Sequence, residues 1–79
     1  MPTIEFRTAA PLQAVQRALD ELARAGFDLA QLSVLSTQTD AAVRLAFVGA
    51  GSVPPRTYAL RVMGIPCIHA MSLSEDLHP

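Results

Sequence analysis

The chain contains no lysine, no asparagine and no tryptophan, and its single cysteine is Cys67. Six arginines against seven acidic residues give a net charge of −1. Because phosphate neutralisation needs clustered cations, this composition argues against nucleic-acid binding. One cysteine excludes an internal disulfide and a CxxC metal pair, and a reducing compartment is expected.

Long apolar runs are also missing. No segment approaches the roughly 18 apolar residues that cross a bilayer, and no basic-then-apolar leader is present. We therefore expect a cytoplasmic protein that does not bind membranes. The chain is nevertheless 51% hydrophobic. Because a domain of this size has much surface and little interior, some apolar material should lie outside and favour association, unless the many alanines inflate the count.

The spacing of apolar residues predicts six elements in the order βαββαβ. Alternation predicts strands over residues 3–8, around Leu32 and Val34, over 42–48 and over 67–73, the facing of the last strand staying open. Helical spacing predicts one helix from Pro11 to the stop at Gly26 and a second over 56–63, stopped at Gly64. Thr8 is a candidate cap for the first helix.

Each helix is expected to bury one face. For the first helix the predicted face is Leu12, Val15, Leu19 and Leu22, widened by Ala18 and Ala23. For the second helix it is Tyr58, Ala59, Val62 and Met63. The polar tail from Ser74 onward is expected to fray.

This element order predicts an α+β, ferredoxin-like fold, in which two helices cover one face of a four-stranded antiparallel sheet. Right-handed crossovers place strands one and three in the centre and strands two and four at the edges. One domain over residues 1–79 is expected, with an ordered core at about 3–73. Strand two has few charges, so its open edge invites pairing with another chain.

Three further features offer little chemistry. His69 has no acidic residue or second histidine within strand spacing, so a structural role is favoured. Cys67 two residues earlier does not by itself form a nucleophile–base pair. Residues 49–52 lack the GK[ST] ending of a phosphate loop. No catalytic residue, metal ligand or cofactor is predicted, and a small enzyme using Cys67 or His69 is a third-ranked hypothesis.

Residues 24–34, RAGFDLAQLSV, resemble the ACT domain of acetohydroxyacid synthase small subunits. In that family a helix ends at a Gly-aromatic step and an apolar-x-x-Leu-x-Val strand follows. The matching positions here are Gly26, Phe27, Leu29, Leu32 and Val34. The resemblance extends over most of the chain but depends on these positions.

The resemblance implies a non-catalytic regulatory or activating subunit of this thiamine-diphosphate enzyme of branched-chain amino-acid biosynthesis. It implies a homodimer that docks on the catalytic large subunit. Amino-acid-binding ACT domains carry a polar-x-x-Gly turn after strand one and an asparagine after the Gly-aromatic step. Here the turn is Thr8-Ala9-Ala10-Pro11, without glycine, and Asp28 replaces the asparagine. The short, valine-insensitive small subunits are therefore the better match.

A second hypothesis is a free-standing ACT module that binds an amino acid at a homodimer interface. The candidate ligand-binding residues are Thr8, Ala9, Ala10, Leu12, Asp28 and Leu29. The competing interpretation is an ordinary strand–helix connection and a solvated aspartate after a helix end.

Overall fold

A computed structural model describes residues 1–75, which form six elements in the predicted βαββαβ order. These are β1 (Thr3–Thr8), α1 (Pro11–Ala25), β2 (Asp28–Ser36), β3 (Ala41–Val48), α2 (Pro55–Met63) and β4 (Ile68–Ser74). The α+β, ferredoxin-like fold is thus confirmed. Most of the polar tail, residues 76–79, lies outside the described residues.

One antiparallel sheet contains all four strands in the order β2-β3-β1-β4. The predicted centre and edges are confirmed. Ile4 pairs with Leu45 and Phe6 with Val43, so the apolar positions of the two central strands share one face. That face is buried under the helices, because α1 packs on β2 and β3 while α2 packs on β4.

Three aromatic rings fill the centre of the core. The ring centroids of Phe27 and Phe47 are 4.8 Å apart, and those of Phe47 and Tyr58 are 5.0 Å apart. The Tyr58 hydroxyl donates a hydrogen bond to the carbonyl oxygen of Ala18 at 2.9 Å, which joins α2 to α1. Burial raises the pKa of the Tyr58 phenol, so this hydroxyl stays a neutral donor.

The ends of α1 follow from local sequence. Pro11 occupies the first turn, as predicted, and Gly26 ends the helix at φ 85°. The N–H groups of Gly26 and Phe27 donate to the carbonyls of Ala23 and Leu22, a Schellman arrangement. Thr8 was wrong as the cap: Ala10 holds the cap position without a side-chain bond.

The buried face of α1 matches the predicted one only in part: Ala18 and Leu22 are buried as expected. Leu12 is 74% exposed and Ala23 is exposed, whereas the residues fully buried in α1 are Ala14, Ala18, Leu22 and Ala25. Small side chains allow the helix to approach the sheet and Tyr58 closely, so alanines take the inner positions that leucine spacing predicts for larger residues. Val15 and Leu19 are partly buried at the margin of the core.

One facing prediction for α2 was wrong, and the facing of β4, which the sequence leaves open, is now defined. Met63 is 50% exposed, while Tyr58, Ala59 and Val62 are buried as predicted. Which side chains of β4 face the core is decided by a bulge in β4 opposite Glu5–Arg7, where Ala70 has φ 51°. The extra residue shifts the alternation by one position, which no simple period describes.

Candidate functional site

The longest free edge of the molecule is β2. Every residue of Asp28–Ser36 except Leu32 is exposed. In the part of the chain that the structure describes, the strand pairs with β3 alone. Leu35 is 70% exposed, Leu29 45% and Val34 44%. Asp28, at the very start, is the strand's one charged residue.

Such an edge presents unpaired backbone N–H and C=O groups together with apolar side chains. Natural sheets usually protect an edge with lysines, prolines or strong bulges. Here protection is limited to a bulge between Leu29 and Gln31, and the register from Gln31 to Ser36 is regular. This stretch is suited to pair with a strand of another chain.

An apolar flank of α1 extends the β2 edge. Arg17 lies beside Ile65. Together with Gln13 and Gln16 it also lies beside Pro66 and Cys67. The flank of α1 that carries Arg17 therefore faces the α2–β4 connection. The helical period puts Leu12, Val15 and Leu19 in one stripe on the side opposite Arg17, with Gln16 at its outer border. Because α1 packs over β2 and β3, this apolar flank lies on the β2 side of the molecule. We call β2 and this apolar flank of α1 the β2 surface.

The predicted ligand loop after β1 is closed on itself. Thr8 is fully buried, and its Oγ1 accepts a hydrogen bond from the N–H of Ala10 at 3.0 Å. Ala9 is exposed, and Leu12 points to solvent. The Thr8 hydroxyl therefore stabilises the strand–helix connection.

Asp28 and Leu29 lie at the start of β2, paired with Val48 and Phe47. Both are exposed. The Thr8 end of β1 pairs with Ala41, which pairs with Ser36 at the other end of β2. Within one chain the two halves of the predicted ligand site thus lie at opposite ends of the sheet.

A polar cluster on the other sheet face was not predicted. Arg7 donates two hydrogen bonds to Asp40, Nε to Oδ2 at 3.0 Å and Nη2 to Oδ1 at 2.7 Å. The Thr37 hydroxyl donates to Asp40 Oδ1 at 3.0 Å. Chiefly through the hydrogen bond from Arg7, the pKa of Asp40 falls from 3.8 to about 2.

His69 borders this cluster, with Nε2 3.7 Å from Asp40 Oδ2. Sequence spacing around His69 missed this carboxylate because it comes from the β2–β3 turn, across the sheet. Arg7 pairs with His69 in the β1–β4 register and with Ala42 in the β1–β3 register. These pairings bring the side chains of Arg7, Asp40 and His69 together. All of these side chains are open to solvent or are held by ion pairs, so the cluster fits a structural role.

Other chemistry is sparse in the part of the chain that the structure describes. Residues 1–75 hold no group of three or more His, Cys, Asp or Glu side chains that could bind a metal ion. In the same residues no buried side-chain nitrogen or oxygen lacks a hydrogen-bond partner. None of the helices in residues 1–75 is long and apolar enough to cross a membrane.

No protein-family model matches the sequence, and no curated protein sequence matches it. Solved structures do match. The C-terminal domain of the MgtC protein from Mycobacterium tuberculosis superposes with a TM-score of 0.77 over 98% of this chain and 87% of that chain. The two sequences are 8% identical, so the similarity establishes the fold alone.

Proposed function

We propose that the chain is a non-catalytic regulatory or activating small subunit of acetohydroxyacid synthase, acting in branched-chain amino-acid biosynthesis. The observation that carries the proposal is the β2 surface, an exposed and nearly uncharged strand edge beside an apolar helix flank. The sequence resemblance of residues 24–34 supplies the identity of the enzyme.

The β2 surface favours a homodimer built by antiparallel pairing of β2 with its copy. A two-fold axis makes such an interface self-complementary, because each residue meets the same surface on the other copy. The pairing would satisfy the free backbone groups and produce one eight-stranded sheet. The flanks of the two α1 helices would meet above it and cover Leu12, Val15 and Leu19.

The dimer would then act by binding rather than by chemistry. If it docks more tightly on the cofactor-competent state of the catalytic subunit, it shifts the population toward that state and raises activity. The size of the activation is limited by the difference in affinity for the two states.

Mixing the purified chain with the catalytic subunit encoded in the same genome tests the proposal. We expect a stable complex by size-exclusion chromatography and a higher rate of acetolactate formation at saturating thiamine diphosphate. Unchanged activity together with no complex would eliminate the proposal.

A free-standing amino-acid sensor is the second candidate, and one geometric observation favours it. In antiparallel β2 pairing, Asp28 of one copy lies beside the Ser36 end of the other, which is also the Thr8 end of the sheet. A dimer paired in this way would place the two halves at the same end of the joined sheet, with β2 and β3 between Asp28 of one copy and Thr8 of the other. An aspartate there can bind the ammonium group of an amino acid.

Thermal unfolding in the presence of each amino acid tests this candidate. A ligand at 100 times its Kd stabilises by about 2.7 kcal/mol, which raises the Tm of so small a domain by several degrees. The shift should be lost in Asp28→Ala and kept in the exposed control Asp20→Ala. The absence of a shift with every amino acid would remove the sensor hypothesis.

A further inference from the structure

The edge of the sheet opposite β2 carries a second apolar surface. Between α2 and β4 runs an open groove of about 340 Å³, lined by Arg56, Leu60, Met63, Met71, Ser72 and Leu73. Leu60 is 57% exposed and Met63 50%, and they lie three residues apart on one side of α2. We call this surface the α2–β4 groove.

Its composition is that of a recognition surface. Exposed apolar side chains grouped at one place commonly mark a binding site. Two of the lining residues are methionines, whose unbranched side chains adapt to partners of different shape. Tyr58, Ala59 and Val62 are the buried residues of α2 and pack it against the core. Leu60 and Met63 are therefore not needed for the packing of α2.

The backbone of β4 forms one wall of the groove. β4 pairs with β1 on one side, and within residues 1–75 no strand pairs with its other side. Beyond the bulge at Ala70, the register is regular from Ser72 to Ser74, against Glu5 to Thr3. A groove between a helix and a free strand edge is the geometry in which an extended peptide adds to a sheet and inserts alternate side chains beside the helix.

The charge of the groove selects among extended partners. α2 carries Arg56 and Arg61 and no acidic residue. Both arginines are exposed, and the ion pairs of residues 1–75 involve Arg7, Arg24 and Arg44 instead. Arg56 also lies in the first turn, where the helix dipole adds to its positive potential. An acidic residue is therefore favoured beside Arg56.

We propose that the α2–β4 groove binds an extended segment of a partner protein, in which apolar residues alternate and an acidic residue lies against Arg56. The segment adds as a fifth strand along β4, with its apolar side chains over Leu60, Met63 and Met71. The groove is separate from the β2 surface, so one dimer can hold two partners. The identification of the partner as the catalytic subunit rests on the proposed function. The proposal that the groove binds an extended segment does not.

Selection from a displayed library of random short peptides on the intact chain tests the proposal without any assumption about the enzyme. We expect the enriched peptides to alternate apolar residues and to carry an acidic residue. By NMR, the amide signals of residues 71–74 should shift on titration. Leu60→Asp should weaken binding about tenfold or more, while the control Gln13→Asp, at an exposed position of α1 outside both surfaces, should bind as the wild type does.

A charge exchange makes the test specific. Arg56→Glu should lose the acidic peptide and gain affinity for the same peptide with lysine in place of its acid. Arg17→Glu, on α1, should do neither. Circular dichroism and urea unfolding of each variant confirm that the fold is intact before binding is measured.

Several outcomes would overturn the proposal. These are a library that yields no binder, binders that lack the alternating pattern, equal binding to Leu60→Asp, or NMR shifts confined to β2. Binding that appears only after residues 76–79 are removed would identify the chain's own tail as the occupant, and a Leu60→Asp variant that loses dimerisation would identify a second copy. A failure of synthase activation leaves the peptide result unaffected, so the two proposals are separable.

Discussion

At the scale of single residues, Gly51 carries the strongest steric requirement. A Cβ at this position would lie 2.5 Å from the carbonyl oxygen of Ala25 and 2.7 Å from Cζ of Phe27. The following N–H, of Ser52, donates to the same carbonyl at 2.7 Å. The loop after β3 is therefore held against the end of α1, and only glycine fits.

Gly51→Ala should destabilise the protein by about 1–3 kcal/mol, because both the backbone and the Phe27 ring must move. The control is Gly64→Ala, where φ is −76° and an added Cβ would come no closer than 3.4 Å to another atom. That change should be neutral or slightly stabilising. Urea unfolding measures both, and equal stabilities would contradict the packing described for Gly51.

Asp40 links stability to pH. Because the folded state holds its pKa at about 2, below the usual 3.8, the folded protein keeps the carboxylate charged where the unfolded chain would bind a proton. The contribution is thus fully present above pH 4 or so and is lost as pH falls toward about 2.

The difference in unfolding free energy between wild type and Asp40→Asn should therefore be constant near neutral pH and shrink in that acid range. Urea titrations at a series of pH values measure it. Glu5→Gln is the control, since Glu5 meets Arg44 by a single 3.5 Å contact between exposed groups. A difference in unfolding free energy that does not vary with pH would contradict the charge pairing of Arg7 with Asp40 as the source of the stabilisation.

At the scale of elements, α1 and α2 are joined by one buried hydrogen bond, from Tyr58 to the Ala18 carbonyl. Tyr58→Phe keeps the ring packing on Phe47 and removes this bond. We expect a loss of about 0.5–1.5 kcal/mol in urea unfolding. Thr57→Val, on the same helix and without a side-chain bond described for it, is the control, and an equal loss in both variants would contradict the role given to the hydroxyl.

The elements also show where sequence reasoning succeeds. Proline and glycine signals located the ends of α1, and strict alternation gave the facing of β1 and β3. The buried side of α1 was predicted in part: Ala18 and Leu22 are buried as expected, but leucine spacing also placed Leu12 inside and left out Ala14. The apolar stripe containing Leu12 that remains outside then marks the β2 surface.

Other features depend on contacts between distant segments. The β4 bulge arises where β4 must match β1 around Ala70, and no local pattern specifies it. The Arg7–Asp40 pair joins residues 33 apart in sequence, and His69 reaches the same carboxylate from another strand. For the candidate ligand residues, the sequence named the segments, but only the register shows that they lie at opposite ends of the sheet.

At the scale of the whole molecule, two free sheet edges serve two different interactions in our account. The β2 surface is self-complementary and nearly uncharged, whereas the α2–β4 groove is basic and bordered by methionines. This division predicts that dimerisation and partner binding can be removed separately.

Leu35→Lys should convert a dimer to a monomer, because two copies of a charged residue would enter the paired edge. Leu60→Lys, an exposed leucine on the opposite side of the molecule, should remain dimeric. Sedimentation equilibrium at several concentrations measures the change. A wild-type chain that sediments as a monomer at every concentration would contradict the assignment of the β2 surface.

The proposed role as a regulatory subunit of acetohydroxyacid synthase is best tested by purifying the tagged chain from its own cells and identifying the bound proteins by mass. We expect the catalytic subunit of acetohydroxyacid synthase in stoichiometric amount, lost on substitution of the α2–β4 groove and retained by the exposed control Gln13→Asp. Recovery of the chain alone, as a homodimer, would contradict it and would favour the free-standing amino-acid sensor.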